Sequence, residues 1–312
     1  MTSTQPSRWL LVAAFAAIYL IWGSSYIAIH FAIQTIPPFL MTGLRFASGG
    51  GILIAWALLR GTPLPTRAQW RSAIIIGFIL FVINNGAIVW AEGHGVPSGV
   101  TAVLVATVPM WIVLLTWLRP GGSFPGGIVI AGLALGFIGI ILLVNPETMT
   151  FNLLGMVVVL IGAFAWAFGA LYTKSADLPQ SATLSTGIQL FAGGVIQLII
   201  SLLVGEFGTF DVTQVTAVSV LATLYLSIVS SIIAYSAFVW LMRVVAPAKV
   251  ATYAYVNPVV AVFLGWLLAS EPLSARTLGA AAIIIFAVVL INVYRGKSLP
   301  RLRRARVAEA PS

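Results

Sequence analysis

Apolar runs of membrane-crossing length follow one another along this chain, separated only by short polar gaps. A helix needs about 20 mostly apolar residues to cross a hydrocarbon core, since each residue adds only about 1.5 Å of rise. Segmented on that basis, the sequence predicts ten helices, at roughly 9–29, 37–59, 73–91, 96–118, 128–144, 153–173, 183–204, 218–241, 247–268 and 278–294. The fifth and tenth are tight fits. The gaps leave no room for a soluble domain, so the expected fold class is an all-α integral membrane protein with ten transmembrane helices.

The charges sort by alternate gaps. Arg8, Arg60, Arg67, Arg71, Arg119, Lys174, Arg243, Lys249, Arg295, Lys297, Arg301, Arg303, Arg304 and Arg306 share one side if ten spans alternate. Glu92, Glu147, Glu206, Asp211 and Glu271 fall on the other, with Arg276 the basic exception. The positive-inside rule makes the basic side cytoplasmic and places both termini there. An odd number of spans would scramble the sorting.

Composition excludes a soluble globule: of 312 residues 60% are hydrophobic and 7% charged, with mean hydropathy +1.07. A net charge of +9 raises the question of nucleic acid, but the basic stretch 301-RLRRAR-306 comes after the last span, where topology alone puts it beside anionic lipid headgroups. Nucleic acid is therefore not an expected partner; membrane lipid is. Cysteine is absent, which removes disulfide and thiolate chemistry. The first apolar run is longer than a signal-peptide core and lacks a clear cleavage site.

The chain also repeats itself. In the first run 22-WGSSY-26 matches 168-FGALY-172 in the sixth, and 109-PMWIVLLTWL-118 in the fourth matches 258-PVVAVFLGWL-267 in the ninth, with offsets of 146 and 149. Five spans per half is an odd number, so the second copy enters the membrane inverted. Inverted repeats let one pattern build inward-open and outward-open states by exchanging the conformations of the halves. The division expected is a first repeat at 1–148, a second at 149–296 and a basic tail at 297–312.

These residues resemble the EamA family of the drug/metabolite transporter superfamily: W-G-S-S-Y in the first span, V-P-S-G (96–99) opening the fourth, Y-V-N-P (255–258) in the ninth, and E-P (271–272) followed by Gly279. The likeness runs from about residue 10 to 294. It implies ten helices around a central cavity, cytoplasmic termini, and export of amino acids and related metabolites across a bacterial inner membrane. One departure stands out. The acidic residue that many members carry between the fourth and fifth spans is replaced here by 119-RPGGSFPGG-127, so no role for it is carried over.

Several residues are candidates for a substrate cavity. Tyr19, Trp22 and Tyr26 are spaced i, i+3, i+7, and the repeat sets Phe168 and Tyr172 opposite the last two. Such rings can hold apolar side chains by dispersion and ammonium groups by cation–π contact, or can form an interhelical seam. Asn84 and Asn85 lie mid-span, where an unpartnered amide costs about 1–3 kcal/mol, so at least one is expected to face the bundle interior. Ser227, Ser230, Ser231 and Tyr235 form a small polar stripe, suited to a cavity or to close packing. Tyr253 and Asn257 precede Pro258, and Pro258 and Pro109 sit at matching positions, where proline frees the carbonyls of Ala254 and Val105. The pair reads as a hinge. Arg45, the one basic residue well inside a span, attracts a substrate carboxylate or anchors structure. Gly49, Gly50, Gly51, Gly193 and Gly194 mark close helix contacts.

No acid lies deep in a predicted span, and Glu92 reads as a solvated loop residue. His30 and His94 give no catalytic pair or metal cluster, and 296-GKS-298 fails as a phosphate loop because Ile291 replaces the first glycine. Neither an enzyme, a cofactor nor a metal is expected. The expected function is export of amino acids, neutral and aromatic ones favoured, and related small metabolites by alternating access in a monomer; the alternatives are an exporter of other drugs or metabolites and, behind it, a passive channel.

Overall fold

Lipid offers no hydrogen-bond partners, so a backbone crossing it must satisfy itself, and the helix does so within one segment. The computed structural model describes residues 7–120, 125–144, 152–173, 175–245, 250 and 252–294, and among them regular structure is entirely helical. Ten long elements occur in order: α1 (Arg8–Ala32), α2 (Pro38–Leu59), α3 (Arg67–Gly93), α4 (Ser98–Leu118), α5 (Gly127–Val144), α6 (Leu153–Thr173), α7 (Ala182–Leu203), α8 (217–244), α9 (Tyr253–Ala269) and α10 (Ala275–Tyr294). Among the described residues seven helices are long and apolar enough to cross a membrane: α1 to α4, α6, α7, and α8 over Ala217–Phe238. Three shorter apolar stretches, Gly127–Leu142, Val256–Ala269 and Ala275–Ile291, lie in α5, α9 and α10. The tail 297–312, together with Glu147, Lys174, Lys249 and Arg295 of the charge pattern, lies outside the described residues.

Side-chain caps start several helices. Thr66 and Gln69 form a reciprocal capping box at α3, and Ser181 and Thr216 accept from Leu184 and Ser219 backbone amides at α7 and α8. Two caps come from elsewhere in the chain. The Glu206 carboxylate accepts from Phe39 and Leu40 amides at the start of α2 (3.1 and 2.8 Å), and that of Glu271 from Ser98 and Gly99 at the start of α4 (2.8 and 3.1 Å). A carboxylate at a helix N-terminus meets both free N–H groups and the positive end of the dipole.

The most extensive helix contacts persist when each helix of the first five is exchanged for its counterpart five later, while smaller ones such as α2 on α3, α1 on α4 and α4 on α10 do not. α2 packs on α7, α5 on α10 and α4 on α9; α1 packs on α9 as α4 does on α6; α1 packs on α8 as α3 does on α6; α2 packs on α8 as α3 does on α7. α2 and α7 meet closest. A Cβ on Gly50 would lie 2.3 Å from the Phe191 nitrogen, and one on Gly194 2.2 Å from that of Ala47. Only glycine permits that approach, which is how helices associate where lipid tails remove the hydrophobic drive. Large apolar side chains such as Ile141, Phe263 and Phe286 are exposed, as a lipid-facing surface requires.

Candidate functional site

A cavity of about 650 Å³ lies among α1, α2, α3, α4, α6, α8 and α9, with Leu190 contributed by α7 and, among the described residues, nothing by α5 or α10. Its wall is mostly apolar and aromatic. Of the sequence candidates it brings together Trp22, Tyr26, Arg45, Asn84, Asn85, Pro109, Ser230, Ser231, Tyr235, Tyr253, Asn257 and Pro258.

A local departure from the α-helix aims these residues inward. α1 contains a π-helical segment at Ala17–Ile21, α3 at Phe78–Asn84 and α8 at Tyr225–Ala234. The first α-helical residue after each is Trp22, Asn85 and Tyr235, and all three line the cavity. A π turn holds one extra residue, which rotates the succeeding helix face by about 100° and leaves carbonyls short of donors. Neighbouring side chains supply them. With its nitrogen facing the carbonyls, the Asn257 amide donates to Ile18 (3.3 Å), Tyr19 (3.1 Å) and Tyr253 (3.1 Å). Asn85 donates to Leu80 O (3.1 Å), Gln197 to Phe81 O (3.0 Å) and Ser231 to Leu226 O (3.0 Å).

Arg45 is 6% exposed and turns into the cavity. Its Nε donates to Ser231 Oγ (3.0 Å) and one Nη to Ser230 Oγ (3.1 Å), while Ser230 also bonds Ser25 (2.8 Å). The second Nη has no partner among the described residues, and the guanidinium stands 4.6 Å from the Phe46 ring centroid. Asn84, 4% exposed, likewise has an unpartnered Oδ1. On another wall four rings pack together: Trp22 meets Tyr253 at 5.1 Å, Phe238 at 5.2 Å and Tyr235 at 6.3 Å between centroids.

Three aromatic candidates stand elsewhere. Tyr19 precedes Trp22 within the π segment, so it faces aside, bonding Thr252 and packing on Phe15. Phe168 is 49% exposed on the outer side of α6, and Tyr172 packs in an apolar cluster with Phe46 and Leu190. α6 instead turns Trp166, Ala170 and Leu171 to the cavity. The prolines also differ from a matched pair of kinks. α4 breaks at Ala106–Thr107 and Pro109 opens its second segment, Val108–Leu118, whereas Pro258 sits inside α9. Sequence reasoning missed Ser25 and Phe238, for which helical spacing from Trp22 and Tyr235 was the available signal, and Trp166 on α6, for which neither spacing helps. It also misplaced Glu92, which is 6% exposed rather than solvated.

The EamA-like transporter family model matches this chain twice, over residues 7–145 and 153–293. The chain belongs to the EamA-like transporter family. It is 40% identical over 284 residues to the uncharacterized inner membrane transporter YedA of Escherichia coli strain K12, covering 91% of this chain and 90% of that protein. Protein PecM of Dickeya dadantii is 28% identical over 279 residues (87% and 89% covered), and a probable amino-acid metabolite efflux pump of Salmonella typhimurium 24% over 290 (89% and 92%). A crystallised chain of 20% identity superposes with a TM-score of 0.63, covering 94% of this chain and 100% of that one, which supports the fold. This EamA-like protein is a multi-pass membrane transporter of the bacterial inner membrane.

Proposed function

We propose that the protein exports neutral and aromatic amino acids and related small metabolites by alternating access around the 650 Å³ cavity. In this reading α5, α9 and α10 complete ten spans in two inverted five-helix repeats, 1–148 and 149–296, with both termini cytoplasmic. The charge sorting and the exchange symmetry of the packing support it. A monomer suffices, because one chain encloses the cavity.

The observation that carries the substrate reading is a pair of buried, unpaired polar atoms on residues that line a mostly apolar cavity. The free Nη of Arg45 suits a carboxylate, and Oδ1 of Asn84 suits an ammonium. The ring cluster around Trp22 then receives the side chain. A buried guanidinium without an anion is costly, and a bound carboxylate relieves that cost. The name of the Salmonella relative, an amino-acid metabolite efflux pump, points the same way.

Counterflow in proteoliposomes tests this. Labelled L-phenylalanine is expected to enter saturably at equal pH on both sides, faster when unlabelled L-phenylalanine is preloaded, and Arg45→Gln is expected to abolish the uptake. No uptake above empty liposomes by folded protein, across a panel of labelled amino acids, removes the amino-acid reading. Unsaturable entry indifferent to preload would indicate a pore.

A further inference from the structure

A carboxyl lies buried outside the cavity. Glu92, in the last turn of α3, is 6% exposed, and neither of its oxygens has a hydrogen-bond partner among the described residues. Electrostatically it is tied to Glu271 and to the cavity tyrosine Tyr26. The Glu271 carboxylate is itself held on the Ser98 and Gly99 amides. The described residues of the helices packed on this end of α3 bring no countercharge: the first segment of α4, Ser98–Val105, has no ionisable residue, α6 carries only Tyr172, near its other end, and Arg45 of α2 is turned to Ser230 and Ser231. α1 contributes Tyr26 and His30, the latter against Phe31, and His94 stacks on Trp90 and meets its carbonyl. Ser98 and Thr101, fully buried on α4, add two more unpartnered hydroxyls.

We propose that Glu92 is a proton-binding site whose occupation is linked to closure of the outer end of the transport path. The proposal rests on the proposed topology, in which the α3–α4 connection faces outward. A carboxylate shut away from water, with no donor and with Glu271 beside it, is strongly unfavourable; the neutral acid is tolerated. When the outer ends of α1, α3 and α4 part, water reaches Glu92 and its proton can leave to the outer solution. When they close, as here, the carboxyl must hold the proton. Each closure therefore binds one proton at the carboxyl, and outer pH biases the conformational equilibrium.

The chain has no cysteine, so a single introduced thiol reports on opening. In spheroplasts, Thr101→Cys is labelled with a membrane-impermeant maleimide over a range of outer pH, and its rate is divided by that of Val212→Cys, 73% exposed. With Glu92 intact the ratio is expected to rise with pH by up to roughly tenfold per unit, the slope of one linked proton. In Glu92→Gln the ratio is expected to stay flat at its low-pH value, and Glu92→Asp to restore a pH dependence. In addition, the infrared carbonyl stretch of a protonated carboxyl is expected in the wild type at neutral pH and missing in Glu92→Gln. A flat ratio with Glu92 intact, an equal rise in Glu92→Gln, or no such infrared band overturns the proposal. Failure of Val212→Cys to react from outside overturns the topology beneath it.

Discussion

α1 and α6 are copies in sequence and differ in structure. Their matched segments, 22-WGSSY-26 and 168-FGALY-172, lie on helices that hold equivalent places in the packing, α1 against α9 and α6 against α4. Yet Trp22 faces the cavity while Phe168 is 49% exposed, and α1 is interrupted by a π segment where α6 is α-helical throughout. Two features set the copies apart: Ser24 and Ser25 of α1 donate to the Leu20 and Ile21 carbonyls of the π segment where α6 has Ala170 and Leu171, and the residue before each repeat proline differs. On α9 it is Asn257, whose amide donates to the Ile18 and Tyr19 carbonyls of the π segment. On α4 it is Val108, which packs on Ala163 and Ala167 of α6 and has nothing to donate. A π turn survives in lipid only where its spare carbonyls find donors. In the first repeat an amide and two hydroxyls that the second repeat lacks together hold a helix face turned by about 100°.

The comparison breaks most severely with Asn257→Val, which makes α9 resemble α4. The carbonyls it leaves behind cost about 1–3 kcal/mol unless the helix rewinds, and rewinding carries Trp22 away from the cavity. Transport is expected to be lost altogether, with a lower melting temperature in detergent. Transport at wild-type rate in Asn257→Val would show that the amide does not set the face of α1.

A second substitution pair sharpens the contrast between the copies. Trp22→Ala removes a ring packed against Tyr253, Phe238 and Tyr235, and an anchor of that kind is worth about 2 kcal/mol of binding, roughly 30-fold in apparent affinity. Phe168→Ala trims a side chain on the outer face of α6 and is expected to change affinity less than about twofold. Counterflow measured against substrate concentration checks both. Equal losses would restore the equivalence that the sequence repeat suggests.

The helices were legible because lipid forces every crossing segment into an apolar run, so their existence is written in composition and their limits blur by a few residues. The first run, read as 9–29, extends over Arg8–Ala32, and the third, read as 73–91, begins at Arg67 behind its Thr66 cap. Much of the cavity was legible too, since polar residues such as Arg45, Asn84 and Ser230 are conspicuous among apolar ones. Which face a ring presents was not. Tyr19, Trp22 and Tyr26 fit one stripe of an ideal helix, and the π segment removes Tyr19 from it. Nor does the sequence reveal that Glu92, beside a predicted gap, is covered by its neighbours, because burial at a helix end depends on how several other elements meet there.

A mild change at the α1–α9 contact separates two ways in which α1 is tied to α9. Tyr19 lies inside the π segment; its hydroxyl bonds Thr252 while its carbonyl accepts from Asn257. Tyr19→Phe removes the first tie and leaves the second, along with the ring's contact on Phe15. One part-buried hydrogen bond contributes about 0.5–1.5 kcal/mol, so melting should fall by a few degrees at most. Substrate affinity should stay within about threefold of wild type, since Tyr19 does not line the cavity and Trp22 keeps its orientation. If Tyr19→Phe instead lost transport as completely as Asn257→Val, the asymmetry between α1 and α6 would belong to the α1–α9 contact as a whole. A mild Tyr19→Phe beside a severe Asn257→Val assigns it to the donated carbonyls, with the position before each repeat proline as a main contributor.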